Sequence, residues 1–108
     1  MTNIVEFGDV YVCAFPFTSG RDAKARPVLV LVDLGLDCLV CRITSVPHQG
    51  FLDISLTKWQ DAGLEKPSTI RLSRLVTIEK SLLKIRIGKL ASDDLDRVRT
   101  LWNEKFRL

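Results

Sequence analysis

A chain of 108 residues is one domain's worth and can bury a modest core, so a single domain spanning 1–108 is expected. With 46% hydrophobic and 27% charged residues it has the balance of an ordinary globular protein, which excludes disorder and collagen-like repeats. The net charge is +3, but its distribution is uneven: −2 over residues 1–57, +5 over 58–89 and zero over 90–108. A basic middle-to-late region points to an anionic partner, nucleic acid being the commonest, although on charge alone a merely solvated basic face is the plainer reading. The longest aliphatic run, Val28 to Val32, is five residues, against the roughly 20 needed to cross a bilayer. Met1 to Phe7 carries Glu6 and no basic or strongly apolar region. No signal peptide and no membrane partner are expected, and the cytoplasm is the expected location.

Along the chain, Asp9 to Phe15 alternates and is rich in β-branched and aromatic residues, as a half-buried strand requires, and Pro16 stops it. Phe17 to Arg26 is small, polar and basic, a loop longer than most hairpin connections and therefore a candidate for function. Pro27 to Val32 is continuously apolar, the pattern of a strand buried on both faces, with proline tolerated at its start. Asp33 to Asp37 turns about Gly35, Cys38 to Ile43 is a third strand ending in Thr44-Ser45, and Val46 to Gly50 breaks the pattern again. Phe51 to Leu56 predicts a fourth strand with Asp53 and Ser55 outward. Thr57 to Gly63 predicts one helical turn closed by glycine.

Ser68 to Val76 predicts a strand containing Arg71 and Arg74. Leu83 to Leu90 predicts another, with Leu83, Ile85 and Ile87 inward and a basic opposite face. Ser92 followed by Asp93 and Asp94 predicts a helix N-cap with acids in the first turn, where they meet the positive end of the dipole. Leu95, Val98, Leu101, Trp102 and Phe106 recur at helical spacing, so Trp102 is assigned to the core rather than to base stacking. Five or six strands and one helix predict a mostly β (α+β) fold: a small, antiparallel, partly closed barrel with a C-terminal helix.

The chemistry-bearing residues are few. Cys13, Cys38 and Cys41 are an odd number of thiols, and Cys38 and Cys41 at i and i+3 of a strand point to opposite faces. Buried free cysteines are therefore expected rather than a disulfide or a zinc site. With one histidine and scattered carboxylates, no metal and no other cofactor is expected. What remains is arginine and hydroxyl groups at strand ends: Arg26, Thr44, Ser45 and Arg71. The guanidinium fork matches phosphate oxygens and keeps its charge, and the hydroxyls can donate to the same oxygens. RNA carries its own nucleophile, the 2′-hydroxyl, so a protein that aligns it and neutralises the phosphate can cut without a metal, leaving a 2′,3′-cyclic phosphate and a 5′-hydroxyl.

Several stretches closely resemble the MazF/PemK family of mRNA interferases. These are Gly8-Asp9-Val10-Tyr11, Phe15-Pro16-Phe17-Thr18, Lys24 to Leu31, Cys41-Arg42-Ile43-Thr44-Ser45, Gly63-Leu64-Glu65-Lys66-Pro67-Ser68 leading to Arg71, Thr77-Ile78 and Ile87-Gly88-Lys89-Leu90. The resemblance covers nearly the whole chain in order. It implies an SH3-like barrel with a C-terminal helix, and a homodimeric toxin of a toxin–antitoxin pair that cleaves single-stranded RNA or mRNA at short sequences and is blocked by a cognate antitoxin peptide. It also implies that Arg26, Thr44, Ser45 and Arg71 are catalytic. Thr18, Arg21, Lys24, Arg42, His48 and Arg74 are placed around them as RNA contacts.

A guanidinium is a poor general base, so transition-state stabilisation is preferred for Arg26 and the proton acceptor stays open. His48 titrates in a suitable range, yet a loop bystander is the plainer reading. Ser73 stands where the PemK branch has an acid, and the first loop is basic where some members carry histidine; both put the cleavage sequence and proton path in question. Three rivals remain. One is an inert RNA- or antitoxin-binding module of the same fold. Another is a gyrase-targeting toxin like CcdB, against which the ending Lys105-Phe106-Arg107-Leu108 counts because that family ends in Trp-Gly-Ile. The third is a DNA-binding regulator, which lacks a helix-turn-helix; operator DNA would be reached only through an antitoxin complex.

Overall fold

The computed structural model describes residues 4–14 and 25–108. Six strands, β1 (Asp9–Ala14), β2 (Ala25–Asp33), β3 (Asp37–Thr44), β4 (Asp53–Ser55), β5 (Thr69–Glu79) and β6 (Leu83–Lys89), precede one helix, α1 (Ser92–Lys105). They form one sheet in the order β4-β5-β3-β2-β1-β6, and every pairing is antiparallel. A single 3-10 turn, Lys80–Leu82, joins β5 to β6.

The sheet coils but does not close: β4 and β6 remain its edges. The 56–68 segment lies between them. Its turn has the expected glycine ending, for Gly63 sits at φ +81° and the Leu64 N–H reaches back to the Trp59 carbonyl at 3.2 Å. Gly63 also backs directly onto the Ile87 carbonyl of β6, where a Cβ would overlap that oxygen.

The apolar run of β2 is explained by two cores, one on each face of the sheet. On one face Leu29, Leu31, Cys41, Ile43, Ile70 and Leu72 pack with Val98 of α1, and Leu95, Leu101, Trp102 and Phe106 close over them. On the other, Val28, Val30, Val40 and Ile78 pack with Cys13 and Cys38. Cys38 and Cys41 therefore face opposite ways, as the strand geometry required, and all three cysteines are free and buried. Trp102 belongs to the core, stacked on Phe106 with ring centroids 4.1 Å apart.

Three local expectations are corrected. Ser92 is the first helical residue, not the cap; Ala91 holds the cap position and no side chain caps the helix end. Asp94 instead turns inward and is fully buried. Its carboxylate accepts the Thr57 and Lys58 N–H groups at 3.2 and 3.0 Å and the Thr57 hydroxyl at 2.9 Å, with Arg97 donating at 3.1 Å. Ile85 does not point inward: register shifts between β1 and β6 leave it 62% exposed. Asp53 is not solvent-facing either, and its partner belongs to the site described next.

Candidate nucleic-acid interface

The site lies at the end of the sheet where β2 begins and β3 ends. Apolar residues of β2 and β3 give way there to Arg26 and to Arg42-Ile43-Thr44. Arg26, opposite Cys13 of β1, is the second residue of β2 and half-buried. Arg42 stands between Val28 of β2 and Arg71 of β5, so residues on three neighbouring strands share one face. Between the Cys41–Leu75 and Arg42–Arg71 pairs, β5 carries Leu72, Ser73 and Arg74 with no counterpart on β3. Such a bulge bends and twists its strand and re-aims side chains.

The guanidiniums crowd. Burial lowers the pKa of Arg42, and the charges of Arg26, Arg74 and Arg71 lower it further. Like charges held within mutual range on a folded sheet raise the energy of the site until an anion enters it. Arg71 is restrained: its Nε donates to Asp53 Oδ1 at 3.0 Å, across the Asp53–Arg71 pair of β4 and β5. Asp53 also accepts the Gly50 N–H at 2.8 Å, and its side chain is only 3% exposed. Burial pushes the Asp53 carboxyl up, but the Arg71 and Gly50 hydrogen bonds and the charges of Arg71 and His48 outweigh it, leaving its pKa lowered.

Arg26, Arg42, Thr44 and Ser45 line one open cleft of about 410 Å³. Thr44 is buried, and its Oγ1 accepts the Val46 N–H at 3.1 Å, which shapes the turn that presents Ser45 to solvent. A hydroxyl that accepts one hydrogen bond keeps its own proton to donate. The opposite wall is Gly63 to Lys66 with Ser68. This wall is tied down at its Ser68 end: the Ser68 hydroxyl donates to the Lys66 carbonyl at 2.8 Å, and Leu56 N–H to the Ser68 carbonyl at 2.9 Å.

Of the candidates named from sequence, Arg26, Thr44, Ser45 and Arg42 are brought into this cleft. Arg71 lies beside Arg42, and Arg74 is exposed but close enough to act on Arg42. His48 does not line the cleft; its charge acts on Asp53 instead. Thr18, Arg21 and Lys24 fall outside the described residues. Asp53, Glu65, Lys66 and Ser68 are not among the residues that stand out by type and position in the sequence. The last three sit within the motif leading to Arg71, whereas nothing near Asp53 in the sequence marks it as the partner of an arginine 18 residues away. Among the described residues, no three His, Cys, Asp or Glu side chains converge as metal ligands would, and no helix is long and apolar enough to cross a membrane.

The backbone is similar to solved toxins. An endoribonuclease from a mycobacterial species shares the fold with a TM-score of 0.76 at 16% identity, covering 96% of this chain and 92% of that one. An endoribonuclease in complex with its cognate antitoxin, also mycobacterial, gives 0.72 at 15% identity with 95% of each chain covered. By sequence, a probable endoribonuclease MazF of Mycolicibacterium smegmatis is 29% identical over 96 residues, 83% of this chain and 85% of that protein. The model of one family, described as PemK-like, MazF-like toxin of type II toxin–antitoxin system, matches residues 6–104. The chain therefore belongs to the PemK-like, MazF-like toxins of type II toxin–antitoxin systems.

Proposed function

We propose that this chain, a MazF-family endoribonuclease toxin, cuts single-stranded RNA without a metal, using the RNA's own 2′-hydroxyl as nucleophile. The observation that supports this most is the convergence of Arg26, Arg42, Thr44 and Ser45 in one open cleft, with Arg71 beside them. A phosphodiester seated there meets guanidinium forks from two strands and two hydroxyl donors at the end of β3. Attack by the 2′-oxygen places a second negative charge on the phosphorus oxygens. Donors already fixed in place stabilise that charge more than the singly charged ground state. Arg26 and Thr44 are assigned to the phosphorane oxygens, Ser45 to orienting the phosphate, and Arg71, held by Asp53, to assisting from the neighbouring strand. The products are a 2′,3′-cyclic phosphate and a 5′-hydroxyl.

The same reading takes residues 1–108 as one toxin domain working in the cytoplasm as a homodimer. Exposed apolar side chains such as Leu34 and Leu36 on the β2–β3 turn and Ile85 on β6 are surface that a second copy would cover. It gives the toxin a cognate antitoxin peptide that blocks the cleft, and contact with operator DNA through that complex. One solved structure sharing the fold is itself an endoribonuclease with its cognate antitoxin.

The test is cleavage of a long single-stranded RNA by purified protein in excess EDTA, with Arg26→Ala alongside and RNA binding measured for both. Discrete cuts by the parent, lost in Arg26→Ala while binding persists, are expected. No cuts by a folded, RNA-binding parent would move the chain to the inert binding module.

A further inference from the structure

The cleft described above supplies positive charge and hydroxyl donors, but in-line attack also needs a group that takes the 2′-hydroxyl proton. His48 lies outside the cleft lining, and a guanidinium is a poor base. Among the described residues lining the cleft, Glu65 is the only acid. It is exposed, with an apolar neighbour on one side, Leu64, and Lys66 on the other. Its backbone is confined: Gly63 is wedged against β6, and Ser68 is bonded to Leu56 and to the Lys66 carbonyl. Glu65 thus stands in the cleft wall opposite Thr44 and Ser45, on a short segment whose backbone is held at Gly63 and at Ser68. A backbone fixed in this way keeps a carboxylate within the cleft, where a general base is needed.

We infer that Glu65 is the general base of the cleavage reaction, a role that rests on the function proposed above. The Glu65 carboxylate removes the proton from the 2′-oxygen as the O2′–phosphorus bond forms and the phosphorus–O5′ bond breaks. The departing 5′-oxygen takes its proton from water in the open cleft, and protonated Glu65 returns its own to solvent. The net reaction neither consumes nor releases a proton. The charged groups that share the cleft with Glu65 are Arg26 of β2, Arg42 of β3 and Lys66 of its own segment.

The experiment is single-turnover cleavage in EDTA, from acid to neutral pH, by the parent, Glu65→Gln and Glu65→Asp, with RNA affinity measured separately. Glu65→Gln is expected to cut 10²–10⁴-fold more slowly, the range lost with a general base. It should bind RNA at least as tightly, since an acid has left a basic cleft, and its rate should no longer fall toward acid as the parent's does. Glu65→Asp is expected to recover part of the rate with the acid limb restored. A substrate with sulfur in place of the bridging 5′-oxygen separates base from acid, because an easier leaving group does not rescue a missing base. Rescue of Glu65→Gln by that substrate, or a parental rate and pH profile in Glu65→Gln, overturns the assignment. A parent that does not cut overturns the proposed function instead.

Discussion

Asp53 and Asp94 are carboxylates buried in different parts of the molecule, and both have pKa values below the ordinary range. Burial works against the charged form of each, but the hydrogen bonds of Arg71 and Gly50 at Asp53, and those of Lys58, Thr57 and Arg97 at Asp94, outweigh it. A folded-state pKa below the unfolded value means stability that is present above the unfolded carboxylate range, about pH 4, and is lost as pH falls through the folded value. Thermal unfolding should therefore show a plateau near neutral pH and a decline below about pH 4. Asp53→Asn and Asp94→Asn should each flatten that decline and lower the neutral plateau, by about 3 kcal/mol for Asp53→Asn, the low end for removing one partner of a buried pair. Equal acid sensitivity in parent and variants contradicts this. Neither role is legible along the sequence. Asp94 reads there as a first-turn acid and Asp53 as an outward strand residue, since a partner 36 or 18 positions away leaves no local signal.

At the scale of elements, Gly63 and Gly35 form a natural comparison. Both hold left-handed backbone, at φ +81° and +97°, but a Cβ at Gly63 would overlap the Ile87 carbonyl oxygen while one at Gly35 meets nothing within 4 Å. Gly35→Ala should cost only the left-handed penalty of about 1–2 kcal/mol. Gly63→Ala should cost more than that, visible as a larger fall in Tm, and should slow cleavage because the wall carrying Glu65 to Ser68 must shift away from β6. Equal Tm losses would show that the contact with β6 is soft.

Strands and helix were legible because their apolar residues recur at periods of 2 and 3.6, and Gly63 because a helical turn ends on glycine. The bulge in β5 and the register shifts of β6 were not. An extra residue in one strand is defined by its partner strand, which a linear pattern does not show. The same holds in the cleft: Arg26, Thr44 and Ser45 stood out by type and position at strand ends, whereas Glu65 and Lys66 join them only when the 56–68 segment folds across the sheet edges.

For the whole molecule, the crowding of Arg26, Arg42, Arg71 and Arg74 on one end of the sheet sets the response to salt. Affinity for single-stranded RNA should fall linearly in a log–log plot against salt. Arg42→Ala should reduce the slope by roughly 0.7, one phosphate's share for a single strand. An unchanged slope would place the RNA elsewhere. If, as proposed, the RNA supplies its own nucleophile to a phosphate held in this cleft, removing one 2′-hydroxyl must stop the reaction. The most direct measurement uses a short RNA containing one cut site, with and without a single 2′-deoxy substitution at the nucleotide 5′ to the break, incubated with the parent protein in EDTA. Cleavage of the all-ribose strand to a 2′,3′-cyclic phosphate and no cleavage of the 2′-deoxy strand are expected. Cleavage of both strands at the same site would contradict the proposal, because the attacking oxygen would then have come from somewhere other than the RNA.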